Sequence, residues 1–296
     1  KLIWLANCQK EGEFEIDEQI SNFEQRNKIA LHEEQKNAIK GAINNGVFVI
    51  TGGPGTGKTT IIKCILEILT AQHKEVSLVA PTGRAAKRMS DSTNHEAKTI
   101  HRLLEVNAIS PDQSFFVHNE SNPLKTDAVI VDEVSMVDVA LMCSLLKALP
   151  RDCRLILVGD KDQLPSVGPG NVLSDILQSG VIKFAMLTKI FRQDEKSLII
   201  TNAHLINEGK MPLIDNTSLD FFFDSKDDPE SIKNTILDLV TTRLPKFLNV
   251  EPQSIQVLAP LKAGVCGIEN LNKVLQEKIN PPASNKRQVE FGSTIF

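Results

Sequence analysis

A glycine-rich loop at residues 52–59 constrains the fold of this chain more than any other feature. The loop reads GGPGTGKT, follows the apolar run VFVIT and precedes the helical run TIIKCILEILT. Its glycines let the backbone turn tightly, so that successive N–H groups point toward one centre. The start of the following helix adds a partial positive charge there. This arrangement predicts a site for the phosphates of a nucleotide.

Two side chains at the end of the loop complete this prediction. Lys58 is placed to reach the β and γ phosphates, and the Thr59 hydroxyl is placed to bind Mg²⁺. A glycine-rich turn without a ligand is the alternative, and the strand, the helix and the Lys-Thr pair together argue against it. The predicted nucleotide-binding residues are Gly53, Pro54, Gly55, Thr56, Gly57, Lys58, Thr59 and Thr60.

Short apolar runs alternate with helix-length segments from about residue 35. They are continuous rather than alternating in polarity, which is typical of strands buried on both faces of a parallel sheet. The sequence therefore predicts an α/β fold with a doubly wound parallel sheet. The four runs are VFVIT at 47–51, VSLVA at 76–80, AVIVD at 128–132 and RLILVGD at 154–160.

The two ends of the chain differ from this central region of alternating strands and helices. Ile16, Ile20 and Phe23 have the spacing of an amphipathic helix leading into the core. A helix end and a loop are predicted at 207–212. A second α/β alternation follows, with strands near 219–223 and 254–260 and helices near 229–241 and 267–279.

Four polar or charged residues follow the predicted strands or lie beyond them. Asp132 and Glu133 end the run AVIV, where one carboxylate can hold Mg²⁺ and the other can activate water. An acidic pair that caps a loop is the alternative. Gln163 is placed to contact the γ-phosphate, with a polar loop residue as the alternative. Arg192 is placed to stabilise the charge of the transferred phosphoryl group, and on sequence alone a surface or ion-pair arginine is the favoured alternative.

Composition limits the partners that this chain can have. The 296 residues carry a net charge of −4, so a DNA site must be a local basic groove. Arg84, Lys87 and Arg88 share one helix face and can form such a stripe, or else a solvated helix face. Five scattered cysteines predict free thiols in the cytoplasm, and no segment resembles a membrane span.

The ordered set of motifs resembles superfamily 1 DNA helicases, most closely their RecD-like branch. The resemblance runs from about residue 30 to the end of the chain, and DEVSMVD followed by GDKDQLPSVGPG is its most specific part. The matching segments are LHEEQKNAI at 31–39, TGGPGTGKTT at 51–60, APTGRAAKRM at 80–89, TIHRLL at 99–104, VIVDEVSMVD at 129–138, LVGDKDQLPSVGPGNVL at 157–173, LTKIFRQ at 187–193 and LAPLKAGVCGIENLN at 258–272.

The resemblance implies a role for each motif. Gln35 resembles the glutamine that contacts adenine, and Lys58, Glu133, Gln163 and Arg192 resemble the catalytic set. Asp132 and Thr59 resemble the Mg²⁺ ligands. The residues that resemble DNA-gripping motifs are Pro81, Thr82, Gly83, Arg84, Lys87, Thr99 and His101.

The resemblance also implies the organisation of the chain. It implies a helical lead-in over residues 1–34, a first RecA-like P-loop NTPase domain over 35–190, and a linker with an incomplete second RecA-like domain over 191–296. Because the chain starts at Lys1 and ends before the later helicase motifs, we expect a fragment. Such a fragment is expected to bind ATP and Mg²⁺, to hydrolyse ATP slowly and not to unwind duplex DNA.

An ATP-dependent helicase motor is therefore the predicted function, with single-stranded DNA and recombination or repair proteins as partners. By resemblance alone, movement would run 5′ to 3′. A P-loop kinase or remodelling ATPase and a nucleotide-binding regulatory module remain alternatives. The sequence predicts that residues 52–59 wrap a triphosphate while the Asp132–Glu133 pair faces the same ion from a neighbouring strand.

Overall fold

The computed structural model describes residues 1–8, 16–110, 113–189, 197–283, 290–291 and 294–295. The chain divides into two compact units, Lys1–Pro212 and Leu213–Phe296.

The first unit contains nine helices and eight strands among its described residues. The helices are α1 Leu2–Asn7, α2 Ile16–Asn27, α3 Glu33–Asn44, α4 Lys58–Ala71, α5 Gly83–Thr93, α6 Ile100–Leu104, α7 Val139–Ala148, α8 Val172–Ser179 and α9 Leu198–Asn207. The strands are β1 Val47–Gly52, β2 Val76–Ala80, β3 Ala97–Thr99, β4 Val106–Ser110, β5 Gln113–Phe116, β6 Ala128–Val131, β7 Arg154–Gly159 and β8 Phe184–Leu187.

Six of these strands form one wholly parallel sheet in the order β3-β2-β6-β7-β1-β8. The predicted doubly wound parallel sheet is confirmed, and all four predicted apolar runs form strands in it. Strands β3 and β8 were not predicted, and β4 and β5 form a separate antiparallel hairpin.

The two faces of the sheet are buried in separate hydrophobic clusters. Along β7, Ile156 and Val158 pack on the side of α3 and α4, whereas Leu155 and Leu157 pack on the side of α7 and α8. A strand covered on both faces has no polar face, which explains why its sequence is continuously apolar. The predicted lead-in helix is present as α2, and its Ile20 and Phe23 are buried in the first cluster.

The carboxyl ends of the strands lie level with one another. The Cα partners near these ends are Ala80↔Thr99, Val79↔Val131, Val131↔Leu157 and Thr51↔Gly159. The segments that follow the strands therefore meet at one edge of the sheet, where ligands bind in open α/β folds.

The predicted neighbouring-strand arrangement needs a correction, because β7 lies between β1 and β6. Adjacent strands are about 4.8 Å apart, so the acidic pair is set about 10 Å from the strand that leads into the glycine-rich loop.

The second unit contains α10 Pro229–Asp238, α11 Leu244–Leu248, α12 Ile268–Ile279 and a short antiparallel pair, β9 Glu290–Phe291 and β10 Thr294–Ile295. A π-helical turn, Leu239–Arg243, links α10 to α11. The helices predicted near 229–241 and 267–279 are confirmed.

The strands predicted near 219–223 and 254–260 are wrong, since neither segment pairs with a strand in the described part of the second unit. A strand needs a neighbour to pair its backbone N–H and C=O groups. Without one, Leu219 is 85% exposed and Leu258 is 84% exposed.

None of the helices in the described part of the chain combines the length and apolarity required to cross a membrane. All five cysteines are free thiols, as predicted.

Candidate functional site

The glycine-rich loop connects the end of β1 to the start of α4. Gly55 and Gly57 have φ angles of +81° and +85°, which glycine adopts without steric cost. The Thr56 hydroxyl donates to the Gly53 carbonyl at 2.9 Å and closes the loop on itself. Lys58 Nζ lies against the loop and donates to the carbonyls of Gly52 and Gly53.

Gln35 joins this loop to α3. Its Nε2 donates to the carbonyl of Thr56 at 3.1 Å, and its Oε1 accepts from the backbone N–H of His32 at 2.9 Å. The second bond is half of a capping box at the start of α3. Gln35 is buried, and both ends of its amide support the local fold in this structure.

The acidic pair follows β6 at the same edge of the sheet. Burial raises the pKa of Asp132 to about 6, and the charges of Lys58 and Arg88 partly oppose that rise. Asp132 Oδ1 accepts from the Glu133 N–H at 2.9 Å. Glu133 lies in the left-handed region at φ 53°, a conformation that costs a non-glycine residue about 1 kcal/mol or more. This turn ends β6 abruptly and starts a 3-10 turn over Val134–Met136.

Gln163 lies in the loop after β7 and contacts the segment after β6. Ser135, which is buried, donates its hydroxyl to Gln163 Oε1 at 3.2 Å. Gly159, at the end of β7, is required by close packing, because a Cβ there would lie 2.8 Å from Val134 Cγ1. The segments that follow β6 and β7 are thus held together.

The predicted DNA-gripping residues follow β2 and β3. Thr82 caps α5 by accepting from the Ala85 N–H at 3.2 Å, and Thr99 caps α6 by accepting from the Arg102 N–H at 3.2 Å. Arg84 and Lys87 are exposed on α5, as is Arg88. The His101 ring is exposed, and its centroid lies 5.8 Å from that of Phe116.

The edge of the sheet therefore has two halves. We call residues 52–59 with Asp132, Glu133 and Gln163 the nucleotide half. We call residues 81–88 with residues 99–101 the basic half. Every predicted site residue lies in one of these halves or on α3 or α4 beside them, except Arg192, which lies outside the described residues.

Two contacts at this edge were not predicted. The first is the bond from Ser135 to Gln163. The second links Glu34, in the first turn of α3, to Thr188 and Lys189 after β8. Neither contact has a signal in the sequence, because each joins polar residues that ordinary surface loops and helix starts also contain.

The residues of the nucleotide half fit a magnesium ion. Mg²⁺ binds oxygen, and it is commonly held by one or two carboxylates together with phosphates and water. The half offers the half-buried carboxylate of Asp132 and the hydroxyl of Thr59, an exposed residue. A Cβ added at Gly53 would meet no atom within 4 Å, so the loop has open space beside it for a ligand.

Several known proteins have sequences similar to that of this chain. The model of the AAA domain family matches residues 35–169, which contain the whole nucleotide half. The ATP-dependent RecD2 DNA helicase of Deinococcus radiodurans is 38% identical over 261 residues, which cover 88% of this chain and 34% of that protein. The chain is homologous to RecD-like DNA helicases over most of its length.

A second relative is similar over most of the chain, and a solved structure shares the fold. The RecBCD enzyme subunit RecD of Haemophilus influenzae is 29% identical, with 88% of this RecD-like chain and 46% of that subunit aligned. The crystal structure of Pif1 helicase from Candida albicans covers 77% of the chain and 56% of its own length, with a TM-score of 0.50 and 23% identity, which supports the fold alone.

This RecD-like chain spans a third to a half of the length of these two curated relatives. The family model and the ATP-dependent relative imply nucleotide use.

Proposed function

We propose that this chain binds ATP with Mg²⁺ and couples ATP hydrolysis to movement along single-stranded DNA. The observation that carries the proposal is the level ending of the parallel strands. It brings the phosphate-binding loop, the acidic pair and the basic half to one edge of one sheet. A nucleotide and a DNA backbone bound at that edge would be separated by a few strand widths.

Nucleotide binding is proposed for residues 52–60 with Gln35. The loop amides and the start of α4 favour the negative charge of a triphosphate. Lys58 Nζ donates to the carbonyls of Gly52 and Gly53 in this structure. When ATP binds, it donates instead to phosphate oxygens, which carry a full charge. Gln35 supports the loop through the Thr56 carbonyl, and contact of its amide with adenine requires that it give up one of its two present partners.

Hydrolysis is proposed for the acidic pair and two further side chains. Thr59 and Asp132 would hold Mg²⁺, which would supply positive charge at the phosphates. The Glu133 carboxylate takes the proton of the water that attacks the γ-phosphorus, so that ADP and inorganic phosphate form. The Gln163 amide contacts the γ-phosphate, and Ser135 holds its oxygen in place. Arg192 stabilises charge on the transferred phosphoryl group.

DNA binding is proposed for the basic half: Pro81, Thr82, Gly83, Arg84, Lys87, Thr99 and His101. The exposed cations on α5 contact phosphates, and the exposed His101 ring offers a surface for a base. Because the relatives are named as a DNA helicase and as a RecBCD subunit, recombination and repair proteins are proposed as partners. Movement in the 5′ to 3′ direction is proposed on family resemblance.

We also propose a domain organisation and a location for the chain. Residues 1–34 are the lead-in, residues 35–190 the first RecA-like domain, and residues 191–296 the linker and part of a second such domain. The five free thiols support a cytoplasmic location.

The ATPase rate of this chain, measured with and without a single-stranded oligonucleotide, tests the proposal. We expect slow turnover that DNA accelerates, because the two halves share one edge. The Lys58→Ala variant serves as the blank for contaminating ATPases.

A rate that is unchanged under DNA saturation, in a protein that binds the oligonucleotide, would contradict the coupling. That result would favour a nucleotide-binding regulatory module. Phosphate transfer to a small acceptor instead of water would favour a P-loop kinase.

A further inference from the structure

His101 is an exposed aromatic side chain on a short helix that is well anchored. Helix α6 has only five residues, and its Ile100 and Leu104 are fully buried in the cluster on the side of α7 and α8. Thr99 caps the first turn by accepting from the Arg102 N–H. Because the two buried residues lie four positions apart on one helix face, the His101 ring is left at the surface.

The hairpin of β4 and β5 brings the chain back to this ring. Glu105 joins α6 to β4 with a φ of +54°, a left-handed conformation that is unfavourable for a residue other than glycine. This turn allows β4 to begin directly after the helix. Phe116, the last residue of β5, pairs with Val106, the first residue of β4. Phe116 therefore lies at the root of the hairpin, next to α6.

Backbone hydrogen bonds fix this root to the end of α6. The Val117 N–H donates to the Glu105 carbonyl at 2.9 Å, and the His118 N–H donates to the Leu104 carbonyl at 3.1 Å. The last carbonyls of a helix have no partner within the helix, so these bonds satisfy groups that would otherwise need water. The segment that follows Phe116 is thus attached to the helix that carries His101.

The Phe116 ring connects the core to His101. It is half-buried and packs against the same hydrophobic cluster that anchors α6. Its centroid lies 5.8 Å from that of the His101 ring, with an angle of 52° between the ring planes. This separation is typical of favourable aromatic pairs. The contact restricts the rotamers of an otherwise exposed side chain and places two rings side by side at the surface.

The two rings adjoin the cations of the basic half. Strands β2 and β3 are adjacent and Ala80 pairs with Thr99, so the chain enters α5 and α6 from neighbouring strand ends. Arg84 and Lys87 are exposed on α5. Surfaces that bind single strands combine cations for the phosphates with aromatic rings on which bases stack. The chain has no tyrosine and a single tryptophan, so phenylalanine and histidine must supply most such rings.

We propose that His101 and Phe116 together form a stacking surface for one base of the bound single strand, and that Phe116 holds the His101 ring in place. The ligand is a nucleobase of any kind, since every base has a flat π-face. This inference rests on the proposed DNA binding of the basic half. It predicts a contribution to affinity that requires bases and that depends little on salt, in contrast to the phosphate contacts.

The test compares the affinities of the whole chain for two oligonucleotides of equal length, measured by fluorescence anisotropy. One is oligodeoxythymidine, and the other carries the same phosphates on abasic sugars. In Phe116→Leu, which keeps an apolar side chain against the core, we expect the dissociation constant for oligodeoxythymidine to rise about 5- to 10-fold, as for the loss of one stacked base. The constant for the abasic strand should change less than about 2-fold, because the phosphate contacts remain.

Three further variants serve as controls. Phe116→Tyr keeps a ring at the same position and should bind both strands as the native chain does. His101→Ala removes the other ring and should reproduce the base-dependent loss, and Phe116→Leu should add little to it. Phe184→Leu is the matched control, since Phe184 is an exposed phenylalanine on β8, at the other end of the sheet from β3. It should leave both affinities unchanged.

Equal weakening of both strands in Phe116→Leu would overturn the inference, because it would show that the ring only supports the fold of the basic half. An unchanged affinity for oligodeoxythymidine would also overturn it. Arg84→Glu with Lys87→Glu separates the inference from the proposed function. If that variant weakens binding of both strands and Phe116→Leu weakens neither, the inference fails and the DNA-binding role stands. If that variant weakens neither strand, the DNA-binding role of the basic half fails first, and the inference fails with it.

Discussion

In the nucleotide half of the sheet edge the functional groups are held by the fold, whereas in the basic half they extend into solvent. Burial raises the pKa of Asp132 to about 6, the backbone of Glu133 is strained, and Lys58 and Gln163 each have a protein partner. In the basic half, Arg84 and Lys87 are exposed on α5, and the hydroxyls of Thr82 and Thr99 cap the helices that they precede.

Under the proposed function, this difference corresponds to two modes of binding on one scaffold. A reaction requires groups held in place before the ligand arrives, because their ordering would otherwise cost free energy at the transition state. A strand that moves past the protein requires exposed cations whose contacts form and break easily. Single substitutions should therefore have large effects in the nucleotide half and small effects in the basic half.

The largest effect is expected for Glu133→Gln, measured as single-turnover hydrolysis of ATP. The amide cannot take the proton of the attacking water, so the rate should fall about 100-fold or more. Nucleotide affinity should stay within about 2-fold, because the loop and Lys58 are unchanged. A variant that turns over ATP at the native rate would remove Glu133 from the mechanism and weaken the contrast between the halves.

A pH-dependent effect is expected for Asp132 in the absence of Mg²⁺ and nucleotide. Its folded pKa of about 6 lies above its ordinary value, so its protonation stabilises the fold at low pH, and this stabilisation is lost as pH rises from about 4 through 6. Compared with Asp132→Asn, the native chain should be about 2 kcal/mol less stable at pH 7.5 and equally stable near pH 4. Urea unfolding of both proteins across this range measures the difference. A constant difference would show that the carboxylate is not desolvated.

A smaller effect is expected when the charges of the basic half are reversed. Arg84→Glu with Lys87→Glu should weaken binding of a single-stranded oligonucleotide about 10-fold and make it less dependent on salt. Nucleotide affinity should not change. The matched control is Lys74→Glu with Lys125→Glu, which alters the charge equally at exposed positions before β2 and β6, at the opposite edge. Equal losses in both variants would show that net charge, and not this half, governs DNA binding.

The smallest effect is expected for Thr82→Ala, which removes the cap of α5. Loss of such a cap typically costs about 1 kcal/mol of stability. Thermal unfolding should show this loss, with little change in nucleotide affinity. A clear loss of nucleotide affinity would show that the two halves are mechanically joined through α5.

The sequence predicted the central part of the fold because its strands are buried on both faces. Strands β1, β2, β6 and β7 cannot carry polar residues on either side, so their runs are visible without an alignment. Strand β3 has three residues that are only partly buried, and β8 is an edge strand with Phe184 and Met186 exposed. Neither has a continuous apolar pattern, and both were missed for that reason.

The same rule gave two wrong strands in the second unit. Residues 219–223 and 254–260 are mostly apolar, but such a run forms a strand only beside another strand. Of the buried hydrophobic residues in the described parts of the chain, only Val240 and Leu271 lie in the second unit. Local pattern indicates what a segment can become, and packing partners decide whether it does.

Prediction of the site from the sequence is limited in the same way, because contacts between distant segments leave no local pattern. The glycine-rich loop and the acidic pair were visible because their chemistry needs particular residues at particular spacings. The bond from Thr188 to Glu34 joins residues that are 154 positions apart, and no spacing rule connects them. Contacts of this kind depend on how α3 and β8 meet in the folded chain.

The central claim is that residues 52–59 and Asp132 hold the same ATP and magnesium ion. Titration calorimetry of ATP with and without Mg²⁺ tests it most directly, on the native chain, on Lys58→Ala and on the exposed-lysine control Lys74→Ala. We predict binding that requires Mg²⁺ and that weakens about 100-fold in Lys58→Ala alone, since charge-assisted phosphate contacts of this kind are strong. A native chain that does not retain ATP with Mg²⁺, or a Lys58→Ala variant that binds as the native chain does, would contradict the claim.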